Sequence, residues 1–465
     1  MPDEVLHSRL GSLVEGYAPA SGEALAAHAV DGVVPSAVVA PDSVESLSAI
    51  VKMASERGYT VIPRGGGTKM DFGQPPSRAD IVVSLARLNR IVSHEPADQT
   101  ATAEAGITMA GLQAGLGERG QYLPLDPPHG DAGTLGGVLA TNASGVLRTA
   151  FGTARDMVIG IRVVQADGTI VKSGGRVVKN VAGYDLNKLY IGSLGTLGIL
   201  AEVNLKLQPL PVSGRMIVGR LPGISAAAEC AFRVMDSEIM PSFLELADPV
   251  TCSLLAREQG GKPGNGVRGG EDRDDPGFAL IAGMFGPEET VEWQIGECER
   301  LLQGAGAAGV THLDGDAYRG VLESMQSFPA GRLTPGGMRS LVTCRASVTP
   351  DEVEALYSLA DERCGRLFIG CGMLSHFASG HAAFVFYGER PFREVDFDGL
   401  AALIEELRAA SELHGAFVVE HAPAALKERV GVWGSTHGNR HLMEMLKHRF
   451  DPKGTLNPGR FVDGI

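Results

Sequence analysis

Pro63-Arg-Gly-Gly-Gly-Thr-Lys69 follows an apolar run, Tyr59-Thr-Val-Ile62, that is typical of a buried strand. Three consecutive glycines let the backbone curl with positive φ and approach a ligand closely. The N–H groups of such a curl form a concave nest that suits phosphate or pyrophosphate. The Lys-Ser/Thr pair of a Walker loop is missing, and an ordinary glycine-rich surface turn is the alternative. The segment alone leaves both interpretations open.

The composition is that of a soluble globular protein with more than one domain. The chain has 465 residues, of which 44% are hydrophobic and 21% charged, and its net charge is −14. The length predicts two or three domains, and the acidic charge disfavours a nucleic-acid or anionic-membrane surface. The start carries no basic and apolar leader, and no apolar run reaches membrane-spanning length. We therefore expect a cytoplasmic protein without a transmembrane segment.

The six cysteines show no Cys-x-x-Cys spacing, which disfavours an iron–sulfur cluster or a structural zinc. Reduced, buried thiols are expected instead.

Two further glycine-rich regions follow the first. Leu125–Gly145 contains two prolines, the pair Gly136-Gly137 and a run of small residues, which is typical of a ligand cradle rather than an idle loop. Ser193–Gly198 places backbone N–H groups just before a strand that begins at Ile199.

Beyond Gly214 the sequence alternates strand and helix patterns, which predicts an α+β domain with an antiparallel sheet. A polar, glycine-rich insertion at 259–276 is predicted to be a mobile hairpin or loop. The segment 304–309 fits G-x-G-x-x-G, but it follows a helix and leads into a strand, so we predict a helix end rather than a dinucleotide site.

Six motifs occur in the order in which a known family carries them: Arg64–Thr68, Thr134–Gly137, Thr141–Gly145, Lys179–Asp185, Ser193–Gly198 and Asn457–Arg460. The chain thereby resembles the FAD-linked oxidase/dehydrogenase superfamily of the vanillyl-alcohol oxidase and p-cresol methylhydroxylase type. Within it, the sequences of segments 126–129 and 179–185 are most similar to the branch of the glycolate oxidase FAD-binding subunit and D-lactate dehydrogenase.

The resemblance implies an α+β fold in two parts. A two-part FAD-binding domain of the p-cresol methylhydroxylase type would carry an inserted antiparallel-sheet α+β cap. The implied boundaries are 1–212 for the FAD-binding domain, 213–425 for the substrate or cap domain, and 426–465 for a C-terminal segment that returns to the FAD-binding domain.

The resemblance also implies a set of FAD-binding residues: Pro63, Arg64, Gly65, Gly66, Gly67, Thr68, Lys69, Pro127, Thr134, Leu135, Gly136, Gly137, Thr141, Asn142, Ser144, Gly145, Gly195, Gly198, Ile199 and Asn457. Some relatives attach FAD covalently through a histidine of the first loop. The corresponding residue here is Thr68, so non-covalent FAD is expected. Whether Lys69 and Arg148 face a flavin phosphate or solvent is open.

Oxidation of a 2-hydroxy acid needs a base for the alcohol proton and a cation for the carboxylate. The resemblance implies that His421 is the base and Arg345 the cation, with a solvent-facing charge as the alternative for Arg345. It also implies three ligands for a divalent metal such as Zn, Mn or Fe: His376, His381 and Glu420. The segment between the two histidines is shorter and less polar than in catalytic relatives, so hydrogen-bonding histidines without a metal are the alternative.

The function that the resemblance implies is an FAD-dependent dehydrogenase, or the flavin subunit of one. It would oxidise a small 2-hydroxy acid such as glycolate or D-lactate to the 2-oxo acid. Electrons would pass to a larger flavin subunit, an iron–sulfur subunit or another acceptor, and attachment to the inner membrane through a partner is left open. The alternatives are a non-catalytic FAD-carrying subunit of a glycolate oxidase complex and an alcohol oxidase that uses O₂.

Overall fold

The structure is a computed structural model that describes residues 2–175, 184–258, 277–328, 340–388, 390–411, 415–435 and 438–465. Two predicted features lie outside the described residues: the 179–183 portion of the Lys179–Asp185 motif and the glycine-rich insertion at 259–276.

The strands are Ala37–Val39 (β1), Val61–Arg64 (β2), Ile81–Ser84 (β3), Ile91–Glu95 (β4), Thr100–Glu104 (β5), Gln121–Tyr122 (β6), Val158–Val164 (β7), Ile170–Gly174 (β8), Ile199–Lys206 (β9), Gln208–Pro209 (β10), Ser213–Leu221 (β11), Phe243–Ala247 (β12), Phe278–Gly286 (β13), Gly309–Leu313 (β14), Ser340–Ser347 (β15), Gly370–His376 (β16), His381–Gly388 (β17) and Ala416–His421 (β18).

The α-helices are Pro2–Leu13 (α1), Glu23–Ala26 (α2), Val44–Arg57 (α3), Met109–Gly117 (α4), Leu135–Thr141 (α5), Arg148–Phe151 (α6), Ala154–Met157 (α7), Asn187–Tyr190 (α8), Ile224–Met235 (α9), Pro249–Glu258 (α10), Glu288–Gly304 (α11), Gly315–Ser327 (α12), Val353–Leu367 (α13), Glu394–Ser411 (α14), Ala424–Val430 (α15) and Arg440–Phe450 (α16). Short 3₁₀ turns lie at Pro96–Asp98, Pro350–Glu352, Phe377–Ser379 and Val462–Gly464.

The chain divides into two compact units. Unit 1 comprises Met1–Ser144, Thr153–Leu210 and Gly431–Ile465, and unit 2 comprises Gly145–Gly152 and Pro211–Val430. The unit boundaries at 210 and 430 lie close to the implied domain boundaries at 212 and 425. The segment Gly145–Gly152 differs, because the structure groups it with unit 2.

Unit 1 contains two main sheets. The first is parallel, with the order β1-β3-β2, and the second is antiparallel, with the order β4-β5-β9-β7-β8. A short antiparallel pair joins β6 and β10.

Helix α3 and strand β2 precede the three-glycine loop along the chain. It begins where the Ser43 side chain accepts a hydrogen bond from the Ser46 N–H, and it ends at Gly58 in the left-handed region, with φ of 72°. Its apolar face is buried, including Leu47 and Ile50. The buried strand β2 follows and leads directly into the loop.

The C-terminal tail is part of unit 1. Val61 donates to the Thr455 carbonyl at 2.8 Å, and Asn457 donates to the Val61 carbonyl at 2.9 Å, so the tail continues the parallel sheet beside β2. The tail thereby comes to the base of the three-glycine loop.

Unit 2 is built on an eight-stranded antiparallel sheet with the order β14-β11-β13-β12-β16-β17-β15-β18. One face packs against α9, α11, α13 and α14 in a single core, to which the strands contribute alternate residues such as Leu246, Met373 and Phe384. Helix α10 contacts β16 on the other face, where a Cβ added to Gly372 would meet Thr251. The sequence pattern did not predict this helix.

The G-x-G-x-x-G match is a helix end, as predicted. Helix α11 stops at Gly304, Gly306 adopts φ of 79°, and β14 starts at Gly309. The segment does not open a helix, so the geometry of a dinucleotide fingerprint is missing there.

None of the helices in the described ranges combines the length and apolar character needed to cross a lipid bilayer. All six cysteines are buried in unit 2.

Candidate functional site

A cleft in unit 1 lies between the three-glycine loop, the start of α5 and the C-terminal tail. It encloses about 640 Å³ of space, part of which is open to solvent. Eleven of the residues predicted to bind FAD line it: Pro63, Gly65, Gly66, Gly67, Thr68, Lys69, Pro127, Thr134, Gly137, Thr141 and Asn457. The structure therefore gathers segments that are up to 394 positions apart into one wall.

The three glycines are required by close packing within this wall. A Cβ on Gly66 would overlap the carbonyl oxygen of Ala132, and one on Gly65 would overlap the Thr134 hydroxyl. Gly67 has φ of 78°, which disfavours any residue with a side chain. The loop is thus built into the cleft and is not a free surface turn.

A second cleft of about 430 Å³ adjoins the first and shares several of its lining residues, Gly137 and Leu194 among them. Five more of the predicted residues line it: Arg64, Gly136, Gly195, Gly198 and Ile199. A Cβ on Gly195 would lie 2.7 Å from the Pro63 ring, so the backbone packs closely against a side chain of the three-glycine segment here.

Four predicted FAD residues do not line either cleft: Leu135, Asn142, Ser144 and Gly145. Leu135 is fully buried, and Gly145 belongs to unit 2. Asn142 ends α5 in the left-handed region, and its buried Oδ1 has no hydrogen-bond partner among the described residues.

The tail contributes two polar side chains to the first cleft, Asn457 and Arg460. The Asn457 side chain donates from Nδ2 to the Leu194 carbonyl at 2.6 Å, whereas its Oδ1 has no partner in the described part of the chain. Arg460 donates from Nη2 to the Phe72 carbonyl. Only Asn457 was predicted; Arg460 stands in the same Asn-Pro-Gly-Arg motif, which was the available signal for it.

These features fit FAD. The cleft offers backbone held close by glycines, a lysine, and buried polar atoms that need partners, as the pyrophosphate and ring edges of FAD would provide. At position 68 the wall carries threonine, and the described lining of the first cleft includes no histidine, cysteine or tyrosine.

A row of polar side chains lies on one sheet face of unit 2, opposite the helix-packed core. Side chains alternate between the faces of a strand, and the core residues of β12, β15, β16, β17 and β18 take one parity. The other parity carries the polar row: Glu245, Arg345, Ser347, His376, His381 and Glu420. Strands from distant parts of the chain therefore bring together residues that the sequence placed separately.

Glu245 and His376 form a buried pair within this row. The Glu245 carboxylate is fully buried, and its Oε2 accepts a hydrogen bond from His376 Nδ1 at 2.7 Å. Burial raises the pKa of Glu245, against the opposing effects of His376 and of Arg148 in the Gly145–Gly152 segment. Glu245 was not predicted from the sequence, where its signal was a carboxylate inside the apolar strand Phe243–Ala247.

His381 is held as a neutral ring. Its Nδ1 donates to the Ser379 carbonyl at 3.0 Å, which leaves Nε2 to accept from the Ser347 hydroxyl at 3.0 Å. Burial and the nearby positive charge of Arg148 lower the pKa of His381 to about 3. The sequence left open whether Arg148 faces a flavin phosphate or solvent. Its charge influences the pKa values of Glu245 and His381, so it lies near the polar row of unit 2.

Arg345 and Glu420 form an ion pair at 3.2 Å. Glu420 is the extra residue of a β-bulge in β18, because Thr343 pairs with His421 whereas Cys344 pairs with Val419. His421 follows the bulge and is exposed.

Each of the three predicted metal ligands is held by another group of the protein. His376 is engaged by Glu245, His381 uses both ring nitrogens within the protein, and Glu420 faces Arg345. Among the described residues, no group of three histidine, cysteine or acidic side chains has the geometry to hold an ion. The arrangement does not fit the predicted metal.

Two family models match the chain. The model of an FAD binding domain matches residues 35–174, and the model of the C-terminal domain of FAD linked oxidases matches residues 210–461.

Similar proteins are found along almost the whole length. The chain is 29% identical over 430 residues to the glycolate oxidase subunit GlcD of Bacillus subtilis (strain 168), covering 92% of this chain and 88% of that protein. It is 25% identical over 473 residues to D-2-hydroxyglutarate dehydrogenase of Stutzerimonas stutzeri (strain A1501), covering 99% of each.

The fold is similar to that of p-cresol methylhydroxylase with substrate bound. The TM-score is 0.75 at 16% identity, over 100% of this chain and 97% of that one. This likeness confirms the predicted α+β fold of the p-cresol methylhydroxylase type.

Proposed function

The chain belongs to the family of FAD-linked oxidases, and we propose that it is an FAD-dependent dehydrogenase, or the flavin subunit of one, for a small 2-hydroxy acid. The substrate would be an acid such as glycolate or D-lactate, which is oxidised to the 2-oxo acid. The names of its relatives support this class, since one is a glycolate oxidase subunit and another a D-2-hydroxyglutarate dehydrogenase.

We infer that FAD is bound non-covalently by the two adjoining clefts of unit 1. When bound, FAD accepts a hydride equivalent from the substrate carbon that bears the hydroxyl. The glycine-walled loop at 65–67 would hold the pyrophosphate through backbone N–H groups. Thr68 has no nucleophile comparable to a histidine ring, which supports attachment without a covalent bond.

The Arg345–Glu420 pair is the observation that carries the substrate proposal. Its 3.2 Å contact shows that the guanidinium accommodates a carboxylate at this point of the sheet. A substrate carboxylate would replace Glu420 there, with the two-pronged geometry that arginine offers. His421, next along the strand and exposed, would accept the proton of the substrate hydroxyl through a ring nitrogen.

The second candidate is a non-catalytic FAD-carrying subunit. It is favoured by the state of unit 2, where Glu420 neutralises Arg345 and His381 is locked by two hydrogen bonds. The chemistry would then take place on a larger partner chain. In either case the electrons would go to a partner such as a second flavin subunit or an iron–sulfur subunit, which fits a relative that is named as a subunit.

Anaerobic mixing of the FAD-loaded protein with glycolate or D-lactate separates the two candidates. The dehydrogenase predicts bleaching of the visible flavin absorbance, with formation of one 2-oxo acid per FAD. A spectrum that stays unchanged with both acids, while dithionite still bleaches the flavin, contradicts catalysis by this chain. Rapid peroxide release in air without a partner would indicate an oxidase that uses O₂ instead.

A further inference from the structure

Lys447 carries a largely buried ammonium group, and the proposed function gives it no role. It lies in the last turn of α16, and its side chain is 12% exposed. It lines neither of the two clefts of unit 1. Any influence of Lys447 on a ligand must therefore pass through other residues.

All three hydrogens of this ammonium group have acceptors. Nζ donates to the Asp451 carboxylate at 2.7 Å, to the Leu456 carbonyl at 2.9 Å and to the Thr196 carbonyl at 2.9 Å. A neutral amine has only two hydrogens to donate, so three acceptors call for the charged form. Burial lowers the pKa of Lys447, and the Asp451 carboxylate opposes that change.

One of the acceptors belongs to a turn that shapes the second cleft. Thr196 lies in the turn Ser193–Gly198, 251 positions before Lys447. Gly195 and Gly198 of this turn line the second cleft. Lys447 therefore fixes a wall of that cleft from behind.

The other two acceptors belong to the C-terminal tail. Leu456 directly precedes Asn457, which lines the first cleft. The Asp451 carboxylate accepts hydrogen bonds from the N–H groups of Thr455 and Leu456 at 2.8 Å and 2.7 Å, so the ion pair holds the same stretch of the tail. One ammonium group thereby joins a wall of each cleft.

The spacing of the two clefts matters only to a ligand that occupies both. Once half of such a ligand is bound, the other half is held at a high effective concentration, and this gain is lost if the geometry prevents both halves from binding together. A ligand in one cleft has no such gain. We propose that Lys447 is a positioning residue that holds the two clefts at the spacing that FAD needs. The inference rests on the proposed binding of FAD by both clefts and adds the residue that makes them one site.

The variant Lys447→Met tests this in the full chain, because methionine has a similar length but neither the charge nor the donors. The affinity of the apoprotein is measured for FAD and for ADP and FMN, which carry one half of the cofactor each. We expect the affinity for FAD to fall about tenfold or more, whereas the affinities for ADP and FMN change by less than about twofold. Lys453→Met is the matched control and should change none of them. Lys453 also belongs to the tail, but it donates to the Ser55 carbonyl at 3.0 Å and lines neither cleft.

A second variant avoids a buried charge without its partner. Removal of Lys447 alone leaves the Asp451 carboxylate buried without its cation, which is destabilising. The double variant Lys447→Met/Asp451→Asn has neither charge and should show the same selective loss of FAD affinity. Thermal unfolding of each apoprotein shows that the variant is folded when the affinities are measured.

Equal losses of affinity for all three ligands would overturn the proposal, because a general loss of stability affects the halves as much as the whole cofactor. An unchanged FAD affinity in folded Lys447→Met would also overturn it. A wild-type apoprotein that binds no FAD would instead contradict the proposed cofactor site itself. None of these measurements uses a hydroxy acid, so a failure of the substrate proposal would leave them intact.

Discussion

Replacement of Gly66 by alanine tests whether the three-glycine loop forms a wall of the FAD cleft. The added Cβ would overlap the carbonyl oxygen of Ala132, which is backbone and has no rotamer by which to move away. The loop and the 132–133 backbone must therefore separate, which changes the wall that both segments form.

The expected size follows from the cost of overpacking, about 1–3 kcal/mol for an added methyl group in a close-packed site. If the whole cost falls on the FAD-bound state, it lowers the FAD affinity by about 5- to 150-fold. The assay is reconstitution of apoprotein with FAD, followed by flavin fluorescence, with thermal unfolding of the apoprotein measured in parallel. A fall in FAD affinity that exceeds the loss of apoprotein stability is expected.

Gly130→Ala is the matched control, because a Cβ at Gly130 meets nothing within 4 Å although the residue lies in the segment that precedes Ala132. It should bind FAD as the wild type does. Full FAD affinity in Gly66→Ala, with unchanged thermal stability, would refute the assignment of this loop to the cofactor.

Further predictions concern unit 2. His421→Ala should slow reduction of the flavin by the hydroxy acid without loss of bound FAD, and loss of FAD would instead make His421 structural. Glu420→Gln should lower the KM for the hydroxy acid, because it removes the carboxylate that competes for Arg345; a raised KM would contradict that competition. The pKa of His381 is about 3 in the folded protein, compared with an ordinary value of 6.5 that applies to the unfolded chain. As the pH falls, the unfolded chain therefore binds the proton first. The free energy of unfolding should therefore fall as the pH drops from about 6.5 to about 3. The fall should reach up to about 3 kcal/mol, after allowance for the solvent that reaches the ring. Urea titrations of His381→Asn should show a smaller fall. Dialysis against a chelator should leave flavin reduction unchanged, and a rate restored by added metal would contradict the ligand geometry found here.

Much of the fold could be predicted from the sequence, because local patterns determine it. The α3 cap at Ser43, the hairpin of β7 and β8, and the end of α11 at Gly304 all depend on residues within one or two turns of each other. The helices that were missed include α5 and α10. The first is short and lies in a stretch rich in glycine and small residues, where helix propensity is low. Helix α10 directly precedes the polar, glycine-rich segment 259–276, whose composition is typical of a loop and obscures the helix pattern beside it.

The FAD cleft could be outlined from motif order, but its polar partners could not. Sixteen of the predicted residues line the two clefts, since ordered glycine motifs mark where backbone must come close to backbone. Arg460 was missed although its motif was recognised. Its significance comes from burial and from donors without acceptors, and neither property is encoded locally.

The polar row of unit 2 shows why residue type and spacing do not determine chemistry. His376 and His381 face each other across the β16–β17 hairpin, as a metal site would require. The partners come from elsewhere: Glu245 lies 131 positions before His376, and Ser347 lies 34 positions before His381. These contacts satisfy the rings from within the protein, so an ion would have to displace hydrogen bonds already made. His421 lies beyond the bulge and its residue is exposed, which is consistent with the proposed transfer of a substrate proton to its ring.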